Sequence, residues 1–360
     1  MLSLLCSLVL LGACSEERSP VVVYVSADQQ IADPILKEFE KQTGIQVAAL
    51  FDTEATKTTG LANRLRREKN RPKADVFWSS EPFVVNKLAE QGVLTSASTP
   101  VLDAHPSLWR DGTGRWFGFS GRARVIVYDP KRLAAENRPS AWMDLLNDRY
   151  RDQLVMADPR FGTTRGHMGA MKAYWDVSAM PGFYEAWLDG LAENGIRMLP
   201  GGNAAVIDSI VRGEALVGLT DTDDVWSAQR RGLSVELVYP RHDLESVSGG
   251  GTLVIPNAVG LVSGSANEED ALTLLEFLSS AQVEEMLHAS PSRNVPIAWP
   301  SKVDIDDQYV ISDPLVIPVS AASLSMDTAV DEAMSRLDPD RVKSLRQRKR
   351  GRTIPEGADL

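Results

Sequence analysis

The stretch Ala215–Gln229, ALVGLTDTDDVWSAQ, decides how the rest of the chain is read. Ala215 to Leu219 is an apolar run of strand length and reads as a buried strand. Thr220-Asp221-Thr222-Asp223-Asp224 follows as a polar knot, and Val225, Trp226 and Ala228 then take a helical spacing. In an open α/β sheet the loops at the carboxyl ends of strands are where ligands sit. One aspartate, Asp221 or Asp223, is expected to cap the helix. A cap needs a single carboxylate, and three together repel unless something positive enters between them. The knot is therefore expected to face a cleft that accepts a cation.

Upstream, the same alternation recurs. Val21–Val25 is a β-branched strand, followed by the loop Ser26-Ala27-Asp28-Gln29-Gln30. Asp33 is expected to cap a helix with Pro34 at its first position and Gly44 at its end. Ile45 to Leu50 reads as a second strand and Leu61 to Lys69 as a basic amphipathic helix. Ala74–Trp78 is a third strand, Ser79-Ser80-Glu81 its terminal loop, and Pro82 opens the next helix. Strand and helix alternate, which defines an α/β lobe.

Downstream, Arg122–Tyr128 reads as a strand passing from one lobe to the next, and the Gly249–Gly251 run suits the return crossing. Leu154–Ala157 is a strand, Asp158–Thr164 its loop, and a helix follows from about Gly166 to Tyr174. A strand, a Gly/Thr turn and a helix together present free backbone N–H groups to an anion. Asn203 opens a further helix, and Asn267–Ser279 is amphipathic with Leu272, Leu275 and Leu278 inward. One more helix is expected within Asp327–Leu345, and Arg346–Leu360 reads as a flexible tail.

At 360 residues the chain exceeds one ordinary core, so two domains are expected. The net charge of −11 argues against a nucleic-acid partner, which would be met by a basic face. Leu2 to Leu11 is an apolar stretch too short to span a membrane. It ends in Leu11-Gly12-Ala13-Cys14, which resembles a bacterial lipobox. That resemblance implies a signal peptide over 1–13, lipidation at Cys14, a tether over 14–20 and an anchored protein facing the periplasm or cell exterior. Cys6 leaves with the signal, so the mature domain keeps no thiol nucleophile. No Walker, zincin or nucleophile-elbow motif is present, and His105, His167, His242 and His288 share no metal-ligand spacing. His167 is expected at the surface, and no enzyme is expected.

VVVYVSADQQ, EFEKQTGIQV, ADVFW, KLAEQGVL, GFSGRARVIVYDP, ADPRFGTTRGHMGA, GGNAAVIDSIVRGEALVGL and GGTLVIPNAVGLVSGSAN occur in that order. Together they resemble the periplasmic solute-binding proteins of ABC importers, and within them the ferric-iron-binding group. The resemblance covers about residues 21 to 295. It implies the two-lobed type II periplasmic-binding-protein fold, each lobe a mixed sheet flanked by helices, joined by two hinge crossings. Lobe 1 is expected over 21–120 plus 245–300, and lobe 2 over 121–244 plus about 301–345.

In the iron-binding group a histidine, an acid and two adjacent tyrosines hold the metal. Those positions fall here on Asp28, on Glu81 (or Ser80), and on Asp223 and Asp224. Carboxylates without phenolates make a site for hard cations in general, or for an organic ammonium group, against which Trp78 or Trp226 could stack. The cation site is thus expected to comprise Asp28, Glu81, Asp221, Asp223 and Asp224. The anion site implied by the resemblance comprises Arg122, Arg124, Gly162, Thr163, Thr164 and Asn203. The expected function is capture of ferric iron or another hard metal with a synergistic anion, for delivery to an ABC permease and its ATPase. The alternatives are a small amine carrying a phosphonate or carboxylate, and a ligand-sensing subunit that docks on a receptor. No resident cofactor is expected, and the protein is expected to be a monomer.

Overall fold

A computed structural model describes residues 19–52, 59–178, 180–243 and 247–350, without the side chains of 346 and 348–350. The expected signal peptide, Cys14, most of the tether and residues 351–360 lie outside the described residues.

The first lobe begins with β1 (Val21–Val25), α1 (Gln29–Thr43), β2 (Val47–Phe51), α2 (Thr59–Glu68) and β3 (Val76–Ser79). It continues through α3 (Pro82–Glu90), β4 (Leu94–Thr95), α4 (Pro100–Asp103) and the start of β5 (Phe117–Tyr128). The second lobe takes the rest of β5, then β6 (Leu154–Ala157), α5 (Gly162–Val177), α6 (Phe183–Glu193), β7 (Arg197–Leu199) and α7 (Gly202–Val211). It ends with β8 (Val217–Asp221), α8 (Thr222–Arg230) and β9 (Glu236–Val238). The chain returns through β10 (Val254–Val262), α9 (Glu268–Leu278) and α10 (Ala281–Ala289), and closes with α11 (Val319–Arg336) and α12 (Pro339–Arg350). The architecture is mixed α/β in two lobes, one built on each half of β5.

The strands run in the order β2-β1-β3-β10-β5-β8-β6-β7, with β4 on β10 and β9 on β5. β5 is the seam. Its first half pairs antiparallel with β10, from Phe117 opposite Val259 to Ala123 opposite Val254. Its second half pairs antiparallel with β8, from Arg124 opposite Asp221 to Tyr128 opposite Val217. All twelve residues of β5 are buried, because strands on both sides and helices on the faces leave none of it to solvent. Strand geometry turns alternate residues to one face, so Arg122 and Arg124 share a face exactly where the pairing partner changes.

Several boundaries differ from the sequence reading for local reasons. α1 starts at Gln29 with Asp28 at its N-cap position, so Pro34 lies inside the helix and Asp33 caps nothing. Gly44 does end that helix in the left-handed region (φ 74°), with its N–H on the Glu40 carbonyl. Trp142–Leu146 forms a short 3₁₀ segment. Two helices, α11 and α12, stand where one was expected, and α12 carries regular structure to Arg350, five residues into the expected tail.

α11 packs on both lobes. Ala322 and Met326 enter the first-lobe core with Phe83, Leu88 and Trp116, whereas Ala329, Val330 and Ala333 enter the second-lobe core with Trp175 and Trp187. Ser323 Oγ donates to the Phe83 carbonyl at 2.9 Å. Asp327 pairs with Lys87 on α3 at 2.7 Å and with Arg165 on α5 at 2.8 Å. Where α5 passes α3, Gly166 is required: a Cβ there would lie 2.2 Å from the Phe83 ring.

Candidate ligand-binding site

The site is assembled at the carboxyl ends of β1, β3 and β8, around the point where β5 changes sheets. Asp28 follows β1, Glu81 follows β3, and Asp221 ends β8 with Asp223 and Asp224 in the first turn of α8. Arg122 and Arg124 enter from β5. The first turn of α5 brings Gly162, Thr163 and Thr164, and α7 brings Asn203.

Arg122 is the common neighbour. Burial works against its charge, but the carboxylates of Asp223, Asp221, Asp224 and Asp28 outweigh that and raise its pKa above the ordinary arginine value. Its Nε lies 3.5 Å from Asp221 and 3.9 Å from Asp223, and its Nη2 donates to the Ser80 carbonyl at 2.6 Å. Carboxylates from both lobes thus converge on one guanidinium. Arg122, Arg124 and, near Asp223, Arg230 bring positive charge to this acidic cluster.

The members differ in burial. Asp221 is 1% exposed, and its carboxylate accepts from Arg124 Nη1 (2.7 Å), Thr163 Oγ1 (2.5 Å) and Asn203 Nδ2 (2.8 Å). It holds the N-cap position of α8 without making a side-chain cap bond, so the expected capping role is not what occupies this side chain. Asp223 and Asp224 are half-buried, and Asp28 is exposed. Thr220 Oγ1 donates to Asp224 at 3.3 Å. Asp221, Asp223 and Asp224 each offer an oxygen within 4.8 Å of the others, a hard-donor group able to hold a metal ion.

Glu81 is built differently. It is 2% exposed and caps α3, accepting from Phe83 N at 2.7 Å and Val84 N at 3.2 Å. Pro82 carries no N–H, so the first free donors of the helix converge on this carboxylate. Burial is the larger effect and pushes the Glu81 pKa up to about 7, against those two backbone bonds and the nearby arginines. Its oxygens are committed to the helix, whereas Asp223 and Asp224 are half-buried and Asp28 is exposed.

The residues expected to take an anion are brought together as well. Gly162 opens α5 in the left-handed region (φ 55°), and Thr163 and Thr164 are buried in its first turn. Three of this set, Arg124, Thr163 and Asn203, spend hydrogen bonds on Asp221. The tryptophans divide: Trp78 is fully buried and donates to Asn257, so it is core, whereas Trp226 packs edge-on against Tyr309, ring centroids 4.9 Å apart.

One placement overturns the sequence reading. His167 is fully buried, not superficial, with its Nε2 3.2 Å from Nε2 of His242. His242 Nδ1 is 2.7 Å from the Gly251 carbonyl, which ties α5 to the return crossing. Burial pushes His242 down to about 4. The two residues lie 75 positions apart, so no spacing rule could pair them.

The chain belongs to the bacterial extracellular solute-binding proteins, whose family model matches residues 71–318. Iron uptake protein A1 of Synechocystis is 24% identical over 280 residues, 75% of this chain and 74% of that one. A periplasmic protein of Salmonella typhimurium named for binding 2-aminoethylphosphonate is 25% identical over 247 residues, 68% of each chain. The crystal structure of the apo ferric-ion-binding protein A of Pasteurella haemolytica superposes with a TM-score of 0.75 at 21% identity, covering 90% of this chain and 98% of that one. That likeness establishes the fold.

Proposed function

We propose that the chain is the extracytoplasmic capture subunit of an ABC importer, and that its cargo is a hard cation held between the lobes by carboxylate oxygens. The observation that carries this is the clustering of Asp221, Asp223 and Asp224, whose carboxylate oxygens lie within 4.8 Å of one another beside Arg122, with Asp28 of the other lobe adding to the field at that guanidinium. A cation bound among these carboxylates relieves their mutual repulsion. The donors facing the gap are carboxylate oxygens, which suits calcium, magnesium, manganese or ferric iron. Kinship with an iron uptake protein supports a metal cargo.

A ligand that touches both lobes binds their approached arrangement better than the separated one, and shifts the population by that difference. The approached form is then what a permease recognises. Delivery from a lipid anchor at Cys14 fits the same role, and incorporation of radiolabelled palmitate, lost in Cys14→Ala, tests it.

A second reading is favoured by Arg122 itself. An N–H cation already lies within 3.9 Å of Asp223, so the cluster suits an ammonium group, and kinship with a protein named for 2-aminoethylphosphonate points the same way. Isothermal titration of metal-stripped protein with ferric citrate, manganese, calcium and 2-aminoethylphosphonate separates the two. Saturable binding of a metal supports the first reading, and its absence for every metal removes it.

A further inference from the structure

We propose that Asp221 is a built-in counter-anion: its carboxylate fills an oxyanion cradle formed by Arg124, Thr163 and Asn203, so the cleft takes its cation without a free anion bound beside it. The cradle comes from three elements. β5 supplies Arg124 Nη1 at 2.7 Å, α5 supplies Thr163 Oγ1 at 2.5 Å and α7 supplies Asn203 Nδ2 at 2.8 Å, with Arg122 Nε at 3.5 Å. A buried carboxylate needs hydrogen bonds on its remaining lone pairs as well as a counter-charge. Here they come from three separate elements, a donor set of the kind that also holds a free oxyanion.

Two further observations favour an occupant over an ordinary structural aspartate. Asp221 holds the N-cap position of α8 yet makes no side-chain bond to that helix, the local role open to an aspartate there. Arg124 is fully buried, and its Nε and Nη2 have no hydrogen-bond partner among the described residues. A guanidinium offers five N–H donors. The cradle therefore presents more donors than this carboxylate uses, and a phosphate or carbonate has acceptors to take them. Removing the Asp221 side chain is expected to open a site for such an anion.

The anion half of this inference stands apart from the ligand's identity. Only the second half, cation binding without an added anion, rests on the cation reading above. The test is calorimetric titration of wild type and Asp221→Ala with sodium phosphate and with sodium formate, using sodium chloride at equal ionic strength as the control. Wild type is expected to give no saturable heat. Asp221→Ala is expected to gain saturable phosphate binding, at least about tenfold to a hundredfold above any residual wild-type affinity, the worth of one regained charge-assisted hydrogen bond. If the variant does not fold alone, because Arg124 is left buried without a counter-charge, phosphate and formate must restore a cooperative melt. Its midpoint must then rise with anion concentration while chloride does nothing.

No gain of phosphate binding in a folded variant overturns the proposal. So does failure of both anions to rescue an unfolded one, or wild type that binds phosphate as tightly as the variant. The second half is read on wild type with manganese and calcium. Affinity unchanged by added carbonate or phosphate supports it, and binding that requires them overturns it. If wild type takes no cation at all, the cargo reading fails, and the phosphate and formate titrations still decide the cradle.

Discussion

At the residue scale, burial separates two kinds of carboxylate in this site. Asp223 and Asp224 are half-buried, whereas Glu81 is enclosed. Asp223→Asn with Asp224→Asn is expected to weaken cation binding about a hundredfold or more, the loss of two charge-assisted contacts, with the fold intact. Relief of their repulsion also makes the empty double variant melt no lower than wild type, and calorimetry read beside thermal melts checks both. Glu81 is different because its pKa is raised to about 7 against an ordinary value of 4.5. An acid whose folded pKa lies above its unfolded one contributes stability that is whole below about pH 4.5 and is lost as pH rises through about 7. The loss is roughly 2–4 kcal/mol. Glu81→Gln cannot ionise, so its stability relative to wild type is expected to rise between pH 5 and pH 8 in urea melts. A constant difference would show that the carboxyl is ionised throughout. The cluster of aspartates was legible because three acids in five residues is a conspicuous local pattern. The partners of Asp221 were not: Arg124 lies 97 residues away and Thr163 58, and only the strand order brings them together.

At the element scale, the seam is carried by β5 and covered by α11. The alternation of apolar strands with capped helices exposed most elements to reading, because period and punctuation are local. α11 was partly missed since its contacts with α3 and α5 come from opposite lobes, and its amphipathic pattern has to satisfy two cores at once. Burial and exposure should divide its energetics. Met326 is 1% exposed, and Met326→Ala is expected to cost about 2–4 kcal/mol. The Asp327 side chain is 65% exposed, so Asp327→Asn should cost about 1 kcal/mol or less despite its two ion pairs. Denaturant melts of both variants check the ranking, and equal costs would contradict it. Gly166→Ala places a Cβ in the Phe83 ring and is expected to destabilise by about 1–3 kcal/mol. In the Phe83→Ala background the same change should cost far less, and an additive cycle would contradict that contact.

At the scale of the whole molecule, two lobes meet at one strand, and acids from both surround the guanidinium at the meeting point. Fold and family were legible because motifs of the right kind recur in order along most of the chain. The cargo was less so, since a carboxylate serves a metal and an ammonium group equally well in a linear sequence. The geometry commits Glu81 to the α3 cap and Asp221 to Arg124, Thr163 and Asn203, and leaves Asp28, Asp223 and Asp224 as the less buried acids of the set. A ligand joining the lobes should compact the molecule, so small-angle scattering is expected to report a smaller radius of gyration when the cleft is filled. An unchanged radius at saturation would mean that binding does not bridge them. The most direct measurement is isothermal titration of metal-stripped protein with the panel of metals and 2-aminoethylphosphonate, repeated on Asp223→Asn/Asp224→Asn. A positively charged solute that binds wild type and is lost from the folded double variant is the result expected, and a solute that binds both proteins equally well would contradict the account.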